Sequence, residues 1–384
     1  MADLDARIKR YKREKADTKK IDAARMERDK LSRQPFPFEL AYAVVDRGNQ
    51  GKKKAGNACI QIKGDPQRLG KEVSRRFPRV LGGQRLPDNV HGSGRLELAR
   101  WITDSANPLT ARVMVNRIWQ YHFGEGIVAT PSDFGKQGRP PSHPQLLDYL
   151  AHRFVTDGWS IKAMHRLIMT SRTYQLASSD DPDNARRDVG NTYLWRYPRH
   201  RLDAESIRDT LLAVSGNLER GLGGPHPFPP PNTWHFTQHN PFKAVYDSRR
   251  RSVYLMTQRI QRHPFLGLFD GSDTNSSTPK RTTSTTPLQA LYLLNDPFVH
   301  RQAEQFAARL RTARPEDAGR IELAFLMLYG RPPRGEEQSQ ARNYLKQVET
   351  KLRTLRVPAE QRAAKAWESL VRSLFLSNEL VYVN

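Results

Sequence analysis

The chain has 384 residues, a formal charge of +23 and a pI of about 10.3, and only 37% of it is hydrophobic. That length accommodates two or three domains, and 9% aromatic content argues against wholesale disorder. No apolar run approaches the ~18–20 residues that span a bilayer, and MADLDARIKRYKREK has no apolar h-region, so no signal peptide is expected. Cys59 stands alone, which excludes an intrachain disulfide, a multi-cysteine zinc site and a C-x-x-C-H haem attachment.

Residues 1–34 are predicted to form a charged, solvated linker helix with a weak stripe at Leu4, Ile8 and Tyr11, ended by Pro35 and Pro37. The segment 35–94 is read as a small, basic, β-containing and irregular element. Its two strands are expected over Ala41–Val45 and Ala58–Ile62, joined by a basic Gly-rich loop. A helical core follows over 95–220. Asn107-Pro108 opens a helix that runs to Phe123, with Gly124 suited to the left-handed position just past its end. Ser142-His143-Pro144-Gln145 reads as a capping box, Ser160 caps the next helix, and Asp203 caps one that stops at Gly216.

Residues 221–286 are expected to hold a Pro-rich insertion, a strand at Arg250–Leu255 and a Ser/Thr-rich loop. Thr286-Pro287-Leu288-Gln289 is a second capping box. It opens a C-terminal helical bundle over 287–384, in which Asp296-Pro297 starts the next helix. The fold class is therefore mainly α: a multi-helix bundle with a small β-containing N-terminal element and long Pro/Gly-rich loops.

Charge and spacing single out several groups. Arg47–Arg85 carries eleven Lys/Arg against Asp65 and Glu72, and Arg249–Arg262 carries five arginines and no acid. Such an excess attracts polyanions without choosing among them. Arg112, Asn116 and Trp119 or Gln120 share one helical face, with His122 just beyond. They read first as ties that fasten loops by buried hydrogen bonds, and second as a ligand groove. Asp133 and His143 flank a Gly/Pro-rich loop and are weak candidates for acid–base catalysis if they meet in a cleft, with His165 on a later helix. Arg201 and Arg208 are candidates for an anion pocket shared with Arg112. Glu205 and Arg208 are spaced as an i, i+3 ion pair. His235 and His239 have i, i+4 spacing, but no third ligand accompanies them and no metal is expected. With Trp234 they read instead as a loop that touches a ligand or partner. No P-loop, dinucleotide fingerprint, nucleophile elbow or nucleic-acid-binding motif is present.

The block Ser93–Gln175 is similar to the planctomycete-type domain of unknown function 1553. Arg201-Leu202-Asp203-Ala204-Glu205, Gly223-Gly224-Pro225, Arg250-Arg251-Ser252-Val253-Tyr254, Thr286-Pro287-Leu288-Gln289, Leu328-Tyr329-Gly330-Arg331-Pro332-Pro333 and Ser377-Asn378-Glu379-Leu380 carry the resemblance over about 40–384. The resemblance implies the C-terminal domain of exported, cytochrome-c-associated proteins. Haem would sit on a separate upstream domain or a partner, this chain would carry no cofactor, and its location would be periplasmic or exported. The expected function is an accessory or binding module for a protein partner or an anionic polymer. It would capture that partner through Lys52–Arg85, Arg249–Arg262, Trp234 and Phe236. The alternatives are an enzyme acting on a polysaccharide or other exported substrate, and a non-specific nucleic-acid binder.

Overall fold

The computed structural model describes residues 2–14, 17–32, 56–87, 89–90, 92–222, 239, 248–259 and 261–383. It divides into two compact units, Met1–Asp104 and Ser105–Asn384. The fold is mainly α, with small two-stranded sheets. Among the described residues no helix is long and apolar enough to cross a membrane.

In the first unit the predicted single N-terminal helix is two helices, α1 (Ala2–Arg13) and α2 (Thr18–Ser32). The Asp17 carboxylate accepts the Lys19 N–H at 3.1 Å and restarts the helix. The two run antiparallel, with Arg7–Glu27 at 3.8 Å and Arg28–Asp5 at 3.9 Å crossing between them. Leu4 and Ile8 are buried, so the stripe that reads as weak in sequence has a partner helix to face. β1 (Ala58–Gln61) pairs antiparallel with β2 (Leu69–Val73) through Ala58↔Val73 and Gln61↔Leu69. The strand expected over Ala41–Val45 lies outside the described residues. Phe77 stacks on Trp101 of α3 (Arg95–Ile102) at 4.7 Å.

The second unit has two apolar cores. The first joins α4 (Thr110–Phe123), α5 (Pro144–Thr156) and α6 (Ile161–Met169) around Val115, Phe123, Leu147, Leu150, Phe154, Met164 and Ile168. A short helix, α7 (Pro182–Arg187), and an extended segment then lead to β3 (His200–Arg201).

The second core begins with α8 (Ala204–Ser215) and continues through α9 (Pro264–Leu268), α10 (Pro287–Asn295), α11 (Pro297–Ala313), α12 (Asp317–Tyr329), α13 (Gly335–Thr354) and α14 (Ala359–Phe375). α11 is its axis. Val299, Ala303, Phe306 and Leu310 recur at helical spacing and are all 0% exposed, and α11 packs on α8, α12 and α14. Burying side chains of this size contributes about 1.5–3 kcal/mol each for the larger ones. α15 (Asn378–Val381) leads into β4 (Tyr382–Val383), which pairs antiparallel with β3 through His200↔Val383 and Arg201↔Tyr382. The chain end is thereby fastened where the first core passes into the second.

Local signals act as read at most helix ends. Ser160, Asp203, Thr286 and Asp296 each accept a backbone N–H at the start of their helices, and Thr286 and Gln289 form the reciprocal capping box. Gly124 ends α4 at φ +78°. The Ser142 box does not form, because the Ser142 hydroxyl is spent on Ile127 O at 3.2 Å and on His143 Nδ1 at 2.9 Å. The strand expected over Arg250–Leu255 is also absent. Among the described residues backbone pairing there is limited to one isolated bridge, Glu219↔Arg250, and Ser252–Tyr254 form one 3₁₀ turn whose surroundings are satisfied by side chains. Asp209 accepts the Ser252 N–H at 2.8 Å, and Arg208 donates to the Ser248 and Arg250 carbonyls at 2.6 and 3.2 Å.

One buried ion pair holds the loop before α10. The Arg201 side chain, 6% exposed, donates to Asp270 at 3.1 Å and to the Ser284 carbonyl. Asp270 also accepts the Ser284 N–H at 2.8 Å and its hydroxyl at 2.7 Å. Burial alone would raise the Asp270 pKa. The two Ser284 bonds and Arg201 outweigh it and leave the carboxyl below its ordinary value. Removing one member of such a pair strands the other charge. Asp270→Ala should therefore cost about 3–5 kcal/mol in urea unfolding of the chain, and Arg201→Ala a comparable amount.

Candidate functional site

The cleft begins with one buried amide. Asn116 on α4 is 0% exposed; its Nδ2 donates to Val128 O at 3.0 Å and its Oδ1 accepts the Val128 N–H at 2.8 Å. That pairing satisfies both polar groups of a residue that is itself buried, as a strand partner would. The loop after α4 is drawn so close that a Cβ on Gly126 would lie 2.6 Å from Asn116 Nδ2 and 2.7 Å from Val128 O. Ser142 N–H donates to Ile127 O at 2.9 Å, which brings the far end of the loop back to the same point.

The folded loop makes one wall of a cleft of about 430 Å³. Trp119 and Phe123, 7% and 4% exposed and with ring centroids 4.3 Å apart, bring a narrow aromatic strip of the core to its floor. Arg139, Ser142 and His143 come from the loop, and Asn191, Thr192, Arg199 and His200 from the extended segment before β3. Glu125 is the one carboxylate among the described walls, and it faces Lys280 at 3.7 Å. The Arg139 guanidinium makes no ion pair among the described residues. Arg199 reaches Asp180 only at 3.9 Å.

The residues singled out in sequence separate into several groups. Trp119 and His143 stand in the cleft. Asn116 lies behind it as the loop fastener. Arg112 is not in it: its Nε donates to Asp148 at 2.7 Å and its Nη1 to Pro108 O at 2.6 Å, tying α4 to α5. Asp133 accepts the Gly135 N–H at 2.8 Å in a local turn and is not one of the cleft's walls. Arg201 and Arg208 do not converge with Arg112 but are consumed by separate loops. Glu205 pairs not with Arg208 but with Arg281, through two bonds of 2.9 Å. Trp234, His235, Phe236 and the start of the basic run at Lys52 lie outside the described residues, and His239 is exposed.

Among the described residues Ser142 and His143 form the one hydroxyl–imidazole contact in the cleft, and its chemistry is limited. The Ser142 proton is shared with a backbone carbonyl, and among the described residues no carboxylate orients the imidazole. Tyr193 meets His143 edge-on at 5.8 Å instead. A general base that activates a serine needs both the proton and the orienting group. The arrangement suits hydrogen bonding to a ligand better than acyl transfer.

The model of the PSD1 family, proteins of unknown function (DUF1553), matches residues 94–345. The chain belongs to this family. The matched span contains every described wall of the cleft as well as the Arg201–Asp270 pair. No curated protein and no solved structure matches the chain.

Sequence reasoning named His122 and His165 separately, and the structure brings them together as a pair beside the cleft. His122 Nε2 and His165 Nδ1 are 2.7 Å apart, so one nitrogen must donate and the other accept. Tyr174 lies edge-on to His122 at 5.3 Å, and Tyr197 donates its hydroxyl to His122 O at 2.9 Å. Burial, then Tyr174, pushes the Tyr197 pKa up to about 12, so it remains a donor. Burial, and after it the neighbouring His165, hold His122 below its ordinary value of 6.5. A His with a lowered folded pKa takes up protons more readily when unfolded, so its stabilising effect is complete above 6.5 and is lost as pH falls below that. Thermal unfolding followed from pH 8 to pH 5 should show Tm declining as pH drops through about 6.5. His122→Phe should make that decline shallower, leaving the share due to His263, which is also held low by burial.

Proposed function

We propose that the chain is a binding module for an acidic, sugar-containing polymer, seated on the cleft between α4, the loop that follows it and the segment before β3. The observation that carries this is a narrow aromatic floor of Trp119 and Phe123 beneath a rim that holds Arg139, Arg199, His143 and His200 against one carboxylate. A sugar ring has an apolar C–H face suited to an aromatic surface. Its sulfate or carboxylate groups suit guanidinium, which forms planar, paired hydrogen bonds to oxyanions. The hydroxyl and amide groups of Ser142, Asn191 and Thr192 fit the remaining sugar oxygens.

The exposed cations of the β1–β2 hairpin and its flanks, Lys63, Arg68, Lys71, Arg79 and Arg85, add a diffuse attraction that raises the encounter rate. In the exported setting that the family resemblance implies, acidic polymers of the cell surface are the natural partners. The Ser142–His143 geometry favours this reading over a hydrolase, because it offers hydrogen bonds without an oriented base.

Heparin binding followed by fluorescence anisotropy over a salt series is the test. Affinity should fall steeply with salt, and uncharged dextran should not bind. Arg139→Ala/Arg199→Ala should weaken heparin binding about tenfold and lower the salt slope by about 2, as two released counterions require. Unchanged affinity in the double variant overturns the cleft as the seat. Equal competition by heparin and random duplex DNA overturns the sugar assignment and leaves a non-specific polyanion binder.

A further inference from the structure

A second cavity, of about 360 Å³, lies in the second core at the start of α11, away from every residue assigned to the cleft. Its walls include Arg208, His263, Phe265, Tyr292, Phe298 and Arg301. We propose that it is a binding site for a small organic monoanion, with a carboxylate held by Arg208, His263 and Arg301 and an apolar body against Phe265 and Phe298.

The first argument is an under-compensated buried charge. Arg208 is 6% exposed, and a guanidinium does not lose its proton in a protein. Among the described residues its acceptors are all uncharged: the Ser248 and Arg250 carbonyls and the Ser252 hydroxyl, at 2.6, 3.2 and 3.2 Å. The carboxylate paired with it among the described residues, Asp209, stays 3.9 Å away and is itself taken up by the Ser252 N–H and hydroxyl at 2.8 and 2.7 Å. A buried cation held this way is costly until an anion reaches it. The ring of Phe298, 5.4 Å from the Arg208 guanidinium carbon, gives only partial compensation.

The second argument is independent. His263 Nδ1 is buried and has no hydrogen-bond partner, although His263 lines this same cavity. Burial, then Arg208, lower its pKa, so the ring is neutral at pH 7 and can present an Nδ1–H donor. The atom carries almost no accessible surface, so a rotation of the imidazole ring is what presents it to a ligand in the cavity.

The charge count selects a monoanion. Arg301 is exposed and has no ion pair among the described residues. Asp296 is also in the wall, but its carboxylate caps α11 through Phe298 N–H at 2.8 Å. Two cations against one carboxylate leave room for one negative charge. The stacked rings of Phe265 and Phe269, 4.6 Å apart, continue the apolar side behind the wall.

Phenylacetate is the probe, titrated into the full chain by isothermal calorimetry, with 2-phenylethanol as neutral isostere and phenyl phosphate as dianion. Saturable binding of phenylacetate is expected at millimolar concentration or below, and none of 2-phenylethanol. His263→Leu should weaken phenylacetate about tenfold and Arg301→Ala several-fold, both with wild-type far-ultraviolet circular dichroism and unchanged heparin binding. Arg139→Ala/Arg199→Ala should leave phenylacetate affinity untouched, which keeps the two sites separable. The proposal is overturned if phenylacetate fails to bind, if 2-phenylethanol binds equally, or if neither variant weakens binding. Tighter binding of phenyl phosphate overturns the monoanion assignment.

Discussion

A long irregular connection has backbone donors and acceptors but no helix or strand to satisfy them, and this structure is built around that constraint. The solution is repeated: a buried or half-buried polar side chain, on a helix or just past its end, reaches out and serves as the missing strand. Asn116 does so for Val128, Arg208 and Asp209 for Ser248, Arg250 and Ser252, and Asp270 for Ser284. Unsatisfied buried backbone groups would cost about 1–3 kcal/mol each, so these side chains determine which loop conformations exist. The cleft is a consequence. Without the Asn116 amide nothing draws the loop after α4 close enough to stand over Trp119 and Phe123.

The same constraint changes the meaning of the basic composition. A charge of +23 reads in sequence as an invitation to polyanions. In the folded chain many arginines are ties rather than bait. Arg331 grips both Glu337 and Glu379 through four bonds of 2.6–2.8 Å and, with burial opposing, holds the Glu337 carboxyl down at about 2. Arg112, Arg201, Arg208, Arg281 and Arg320 are likewise occupied by carboxylates or carbonyls. Guanidinium suits this work because it offers five donors in a rigid fork and keeps its charge when buried. The charge left for a partner belongs to groups with no such tie, and Arg139 and Arg301 matter for that reason.

How much was legible follows from how local each signal is. Helix ends are written in neighbouring residues. Ser160, Asp203, Thr286 and Gly124 could be read because a cap needs only the next few backbone groups. Ser142 failed for the complementary reason: Ile127, fifteen residues away, competes for its hydroxyl. The strand expected at Arg250–Leu255 failed because its partners are side chains on α8, about forty residues earlier, and no periodicity records them. The α4 face of Arg112, Asn116 and Trp119 was correctly grouped by spacing, yet its members do three different things. Arg112 joins helices, Asn116 fastens a loop and Trp119 floors the cleft. Spacing shows that residues share a face but not what lies opposite each of them. Arg199, His200 and His263 carried no signal at all, since each matters only through a neighbour brought in by the fold.

Placing recognition groups beside such ties has a mechanical consequence. Trp119 and Asn116 are one turn apart on α4, so the residue that floors the cleft and the residue that secures its wall share a rigid helix. Arg208 combines both tasks in one side chain, holding the 248–252 turn while facing the second cavity. A group already fixed by three hydrogen bonds loses little rotamer freedom when a ligand arrives, so more of the contact energy appears as affinity. That arrangement also explains why the exposed partners, Arg139 and Arg301, are the informative ones to vary. They fasten no loop among the described residues, whereas changing Arg208 or Asn116 would remove a loop's backbone partner as well.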